Sequence, residues 1–230
     1  MRLNRFIPIA LFVVYISATG AIFAEDQKHV AADDAVRLLN EGNKRFVTMR
    51  LKHPNLNAAR RKAVAVETQQ PFATVLGCSD SRVPVEEIFD RGIGDIFVIR
   101  VAGNVAMDPT VIGSAEYAAE HLGTPIIVVL GHTGCGAAKA AISGPPLEGS
   151  MREIQKKIGT IVALVKKDRP DLKGDELTNA VVRANTLNTK QDLLASSQEI
   201  AHMAADGKVR ILTAVYDMIS GKVEYIEEVK

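Results

Sequence analysis

Four side chains able to bind a metal fall in two short segments, Gly77-Cys78-Ser79-Asp80-Ser81-Arg82 and Gly131-His132-Thr133-Gly134-Cys135-Gly136. Two thiolates, an imidazole and a carboxylate are usual ligands of zinc, and a tetrahedral site takes four. The His132-x-x-Cys135 spacing lets one tight turn aim both groups at a single ion, with Gly134 and Gly136 permitting the close backbone. If Cys135 opens a helix, the positive end of its dipole also favours the thiolate. Each feature alone is weak, since a cysteine at a strand end is usually a small core residue. Both cysteines together, each flanked by glycine and polar residues, strengthen the reading of a metal site. A Cys78–Cys135 disulfide would suit an oxidising compartment and contribute about 4 kcal/mol in the chain-entropy model. It would leave Asp80 and His132 without a purpose, whereas zinc uses both.

Positioning these groups takes buried strands. Phe72–Leu76, Ile96–Ile99 and Ile126–Leu130 are short, continuous apolar runs rich in β-branched residues, the pattern of strands covered on both faces. Between them lie helical candidates at Val83–Asp90 and Thr110–His121, the second entered through Pro109. Upstream, Asp33 is placed to cap a helix carrying Ala35, Val36, Leu38, Leu39, Phe46 and Val47, and a basic helical stretch follows Pro54. Downstream, Ile154–Lys167 and Leu177–Ala205 read as long helices, the latter stopped at Asp206-Gly207. Val209–Val215 is a fourth strand, and Val223–Val229 a fifth, joined to it through a turn at Ser220-Gly221. The expectation is one α/β domain: a mostly parallel sheet covered by helices, with an N-terminal helical arm and an antiparallel last strand at an edge. With strand order 2-1-3-4-5, strands one and three are neighbours and both motif segments meet beyond their carboxyl ends, at the switch point where such sheets bind ligands.

The first 24 residues stand apart. Arg2 and Arg5 precede an apolar run, and small residues lead to Ala24 before Glu25 and Asp26. This reads as a secretory signal cleaved after Ala24, leaving 25–230 as the mature domain in an exported, periplasmic protein. The uncharged stretch from Phe6 to Ala24 also approaches the length of a membrane anchor, but its small residues favour cleavage, so no stable anchor is expected. The formal net charge of +1 becomes −1 when both arginines leave. Without a basic face, and with 5% aromatic residues and no Trp, a nucleic-acid partner is excluded as the main business of the surface.

The chain also resembles the β-class carbonic anhydrases, and the resemblance covers most of the mature sequence. It rests on Cys78-Ser-Asp-Ser-Arg82 with Val83-Pro84 and Ile88-Phe-Asp90, then on Gly94-Asp95-Ile-Phe-Val98 and Arg100-Val-Ala-Gly-Asn104. Gly131-His-Thr-Gly-Cys-Gly136, Ala214-Val-Tyr-Asp217 and Gly221-Lys-Val-Glu-Tyr225 continue it. The resemblance implies an exported bacterial enzyme interconverting carbon dioxide and bicarbonate with one zinc per chain. It also implies a homodimer or an assembly of dimers, with the site at the subunit interface and the N-terminal helices embracing the partner. Cys78, His132 and Cys135 match the permanent ligands. Asp80 is either the fourth ligand or the partner of Arg82, which would free the fourth position for water. Zinc lowers the pKa of bound water from about 15.7 towards 7, so hydroxide can form there and attack carbon dioxide. Asp80, held by Arg82, would orient it. His29, His53, His121 and His202 lie outside the motifs, and Tyr216 and Asp217 are expected to be structural. Some relatives carry an inhibitory bicarbonate site involving Trp, which this chain lacks. Two other readings use the same segments: hydrolysis of carbon disulfide or carbonyl sulfide, and a non-catalytic zinc-stabilised, bicarbonate-sensing module. The second has no use for a displaceable Asp80 beside Arg82.

Overall fold

The computed structural model describes residues 30–226. The proposed signal, His29 and the last residues of the expected fifth strand lie outside that range. Five strands form one sheet in the order β2-β1-β3-β4-β5. They are β1 (Ala73–Gly77), β2 (Ile96–Arg100), β3 (Ile126–His132), β4 (Arg210–Tyr216) and β5 (Val223–Tyr225). The first four are parallel, and β5 returns antiparallel against β4, as the turn at Ser220-Gly221 requires.

Side chains of a strand alternate between faces, so the unbroken apolar runs supply two cores at once. Ala73, Val75, Ile126, Val128, Leu130, Leu212 and Ala214 point to one face. There they pack with Ala35, Val36 and Leu39 of α1 (Ala32–Val47) and with Val85 and Ile88 of α3 (Val85–Ile88). Leu76, Ile127, Val129 and Ile211 point to the other, against α4 (Pro109–Glu116), α7 (Gly174–Ser196) and α8 (Gln198–Ala205). Beyond the strand ends on that second side, α5 (Gly136–Ser143) and α6 (Met151–Asp168) close a third cluster that contains both cysteines. The basic stretch after Pro54 is the short helix α2 (Ala58–Val66), capped by Asn57.

Three expectations are corrected. Asp33 does not cap α1: it sits in the first turn, where its charge suits the helix dipole, and it receives an Arg210 guanidinium N–H at 2.8 Å. The helix expected over Val83–Asp90 shrinks to α3. Val83 spends its N–H on the Asp80 carbonyl in a turn, and Asp90, at φ 44, leaves the helical region at the other end. The stretch Leu177–Ala205 is two helices. Ser197 adopts an extended backbone and its hydroxyl accepts the Ile200 N–H, capping α8 while α7 ends. The helix expected over Thr110–His121 is entered through Pro109 as expected, with Asp108 capping it by accepting the Thr110 N–H, and it finishes in a π-helical turn over Tyr117–His121.

Candidate metal centre

The register of β1 and β3 sets Gly77 beside Leu130, so Cys78 leaves the sheet next to the last turnward residues of β3. His132 is still part of β3 and pairs with Tyr216 of β4, which fixes its backbone on that side. Thr133 then donates its N–H to the Tyr216 carbonyl at 2.9 Å, and Gly134, at φ 65, reverses the chain. Cys135 follows as the N-terminal cap residue of α5. Its sulfur therefore sits where the free N–H groups of a helix favour negative charge.

The ligand atoms of Cys78, His132 and Cys135 all lie within 4.8 Å of one another, and all three residues are buried. Neither cysteine is in a disulfide. Nδ1 of His132 lies 3.0 Å from the Thr133 carbonyl oxygen. A carbonyl only accepts, so Nδ1 carries the proton and Nε2 presents its lone pair. That Nε2 is buried and has no hydrogen-bond partner. An unpaired buried polar atom costs free energy unless something fills the position.

The two thiols act as a pair. Cys135 donates a hydrogen bond to the Cys78 sulfur, which pulls the Cys78 pKa well below the ordinary thiol value against the opposing effect of burial. The backbone N–H groups of Asp80 and Gly103 add to that pull. Cys135 is pushed up by the same hydrogen bond and by burial. The proximity of the two sulfurs thus favours ionisation of Cys78 and opposes that of Cys135. A bound dication would draw off the remaining thiol protons and leave two thiolates. An orphaned, buried imidazole nitrogen beside two buried cysteine sulfurs is a donor set that fits zinc.

Asp80 stands beside this cluster rather than in it. Its Oδ1 accepts from the Arg82 backbone N–H at 3.0 Å and from Nε at 2.9 Å, and its Oδ2 accepts from Nη2 at 2.7 Å. Of the two roles open to Asp80 in the sequence, the structure displays the pairing with Arg82. Oδ2 nevertheless comes within 3.9 Å of His132 Nε2, so the carboxylate borders the point on which the ligands converge. The Arg82 hydrogen bonds hold its pKa well below the usual carboxylate range, keeping it ionised.

The sequence did not reveal what fixes the loop carrying Cys78 and Asp80. Arg100, at the end of β2, donates through Nε to the Cys78 carbonyl at 3.0 Å and through Nη2 to the Asp80 carbonyl at 2.6 Å. Gly103 donates its N–H to the Cys78 sulfur at 3.3 Å. Both lie in Arg100-Val-Ala-Gly-Asn104, a segment legible as a motif but without any assigned task. Of the other histidines, His53, His121 and His202 are exposed, and His121 packs its ring against Tyr117 at 5.4 Å. None joins the cluster. Tyr216 is buried in the core, and Asp217 caps the β4–β5 turn by accepting from the Ser220 N–H and hydroxyl.

A parallel sheet with a buried Cys-His-Cys cluster at its switch point, and an arginine-held aspartate at the rim, defines the class: a candidate metalloenzyme of the open α/β type. The carbonic anhydrase family pattern matches residues 73–223. The chain is 38% identical over 192 residues to carbonic anhydrase 2 of Mycobacterium tuberculosis, covering 82% of this chain and 89% of that protein. It is 38% identical over 194 residues to a carbonic anhydrase of Mycolicibacterium smegmatis, covering 83% and 91%. Among solved structures it superposes on the β-carbonic anhydrase CcaA with a TM-score of 0.68 at 26% identity, covering 84% of this chain and 95% of that one. A tetrameric β-carbonic anhydrase of Sordaria macrospora gives 0.65 at 25% identity, covering 73% and 86%. The chain belongs to the β-class carbonic anhydrase family and is a carbonic anhydrase.

Proposed function

We propose that this enzyme hydrates carbon dioxide reversibly to bicarbonate and a proton at a single zinc held by Cys78, His132 and Cys135. The observation that carries the reading is the bare, buried Nε2 of His132 lying within 4.8 Å of the two buried cysteine sulfurs. Bound there, zinc would supply Lewis acidity, which makes water ionisable near neutral pH. The protein's own groups do the rest. The Arg82 guanidinium holds the Asp80 carboxylate away from the fourth ligand position, which leaves that position to water. Asp80 Oδ2, bordering it, accepts a hydrogen bond from the nucleophile and so aims a lone pair at the substrate carbon. Burial of Cys78, His132 and Cys135 keeps the ligands dry, and the Arg100 bonds keep Asp80 from drifting.

The segment at 1–24 supports export to the periplasm with cleavage after Ala24, and the mature protein then begins at Glu25. Intact-mass measurement after expression in a bacterium with an envelope tests this, and retention of Met1 refutes it. A homodimer, alone or in a larger assembly, is supported by relatives such as the tetrameric Sordaria enzyme. Among the described residues no helix is long and apolar enough to cross a membrane.

Stopped-flow carbon dioxide hydration, with zinc content measured on the same sample, tests the central claim. One zinc per chain is expected, and Cys135→Ser is expected to lose both metal and activity. Full activity after exhaustive zinc removal would sink the reading.

A further inference from the structure

The inner face of α7 is unusually polar for a helix pressed against a sheet. Thr178, Asn185, Thr186 and Thr189 are all buried there. Thr178 and Thr186 satisfy themselves, each hydroxyl donating back to the carbonyl four residues earlier, at 3.0 and 2.9 Å. Asn185 does something different. Its amide Nδ2 leaves the helix and donates to the Gly103 carbonyl at 2.9 Å, across 82 residues of sequence.

Gly103 is the residue whose N–H meets the Cys78 sulfur. Its backbone is left-handed, at φ 73, and the next residue, Asn104, is also left-handed at φ 45. A side chain at 103 would run into Ile158, since a Cβ there falls 2.7 Å from the Ile158 Cδ1 atom. Two consecutive residues in this sparsely populated region do not hold themselves. The Asn185 bond supplies a fixed point on the carbonyl side of Gly103, opposite the N–H that faces the sulfur. Hydrogen bonds from backbone N–H groups to a ligating sulfur orient it and tune its donor strength, as outer partners do for metal ligands generally.

We propose that Asn185 is a positioning residue for the metal centre: through Gly103 it sets the N–H that orients the Cys78 sulfur. It touches neither metal nor substrate. The proposal rests on Cys78 being a zinc ligand, so wild-type enzyme is measured first. A wild type that takes up no zinc refutes the site itself, and the variants address Asn185 only once zinc binding is established.

The informative variant is Asn185→Thr. A threonine on this face can bond back to the Val181 carbonyl as Thr178 and Thr186 do to theirs, so the clamp on Gly103 is removed while the new hydroxyl has a partner of its own. Asn185→Ala is the second variant, and Thr189→Val, one turn along the same buried face, is the packing control. Zinc affinity is read by competition with a chromophoric chelator. The cobalt-substituted proteins are read by their thiolate-to-cobalt charge-transfer absorption. Asn185→Thr and Asn185→Ala should bind zinc about 10- to 100-fold more weakly and shift the charge-transfer band, with far-ultraviolet circular dichroism unchanged. Thr189→Val should do neither. Wild-type affinity and an unmoved band in Asn185→Thr would overturn the proposal. So would an equal loss in Thr189→Val, or failure of both Asn185 variants to fold, because each would make Asn185 a packing residue.

Discussion

Three of the aspartate–arginine pairs among the described residues share one chemistry and differ in their surroundings. Asp80 and Arg82 lie two residues apart and meet through two parallel N–H···O bonds, with the aspartate side chain 16% exposed and the arginine 57%. Asp171 and Arg169 repeat that spacing and that forked geometry at 2.9 and 3.1 Å on the open surface. Asp90 meets Arg45 across 45 residues at 2.5 Å, with its side chain fully buried. Its two oxygens also accept the backbone N–H groups of Lys52 and His53. Asp90 is thereby saturated: it ties the end of α1 and the loop after it to the body of the domain and has no lone pair to spare. Asp80 has a single arginine for a partner and presents Oδ2 to the ligand cluster. Geometry of the pair itself does not mark a functional carboxylate. What marks it is an oxygen left facing a place where something else belongs.

Replacing Arg82 should separate the pairs most sharply. In Arg82→Ala the Asp80 carboxylate loses its side-chain donors and is free to take the fourth zinc position, so water is shut out. Zinc content should stay at one per chain while hydration falls by about 10²-fold or more. Wild-type rates across roughly pH 6 to 9, the window around a zinc-bound water pKa, would refute carboxylate exchange. Asp80→Ala should open the fourth position but remove the orienting acceptor. Zinc is retained, turnover drops on the order of 10²-fold, and the rise of rate with pH through neutrality persists. A flat pH profile in Asp80→Ala would mean that the carboxylate itself, and not ionisation of water, sets the wild-type dependence.

Asp90→Asn should cost stability instead. Removing one partner of a buried pair typically costs about 3–5 kcal/mol, read here by urea unfolding of zinc-loaded enzyme, with zinc content and rate per folded molecule unchanged. The pH dependence has a definite sign. Arg45 and the two backbone donors outweigh burial and lower the Asp90 pKa in the folded protein. Its contribution is therefore complete above the ordinary carboxylate pKa and is lost as pH falls through the lowered folded value. Asp90→Asn should accordingly flatten the acid side of the stability curve, and an unchanged acid limb would remove Asp90 from this role. Arg169→Ala should do least: melting temperature, zinc content and rate all equal to wild type, as for an exposed ion pair. A loss of activity there would break the distinction between an exposed fork and one beside the ligands.

Much of this was written in local sequence. The buried runs of β1, β2 and β3 declared strands covered on both faces, and the suggested order 2-1-3-4-5, which makes β1 and β3 neighbours and brings the two glycine-flanked motifs together, is the order found. Cys78, His132 and Cys135 were legible because thiol, imidazole and glycine at strand ends have few other uses in combination. Local signals failed where a long-range contact decided. Leu177–Ala205 has helical periodicity throughout, yet the extended backbone of Ser197 breaks it, and the serine hydroxyl caps a new helix by accepting the Ile200 N–H. Asp33 looked like a cap and became a partner of Arg210, 177 residues away.

What the sequence determined alone was the set of donors and the strands that end beside them, since residue type and hydrophobic pattern are properties of the chain itself. The tertiary structure decided how those donors are held. It turned Nδ1 of His132 to the Thr133 carbonyl, put Arg100 under the Cys78–Asp80 loop, and brought Asn185 to Gly103. It also gave Asp80 and Asp90 opposite tasks. These depend on which groups meet after folding, and hydrogen-bond saturation between residues tens of positions apart leaves no trace in the spacing of either partner.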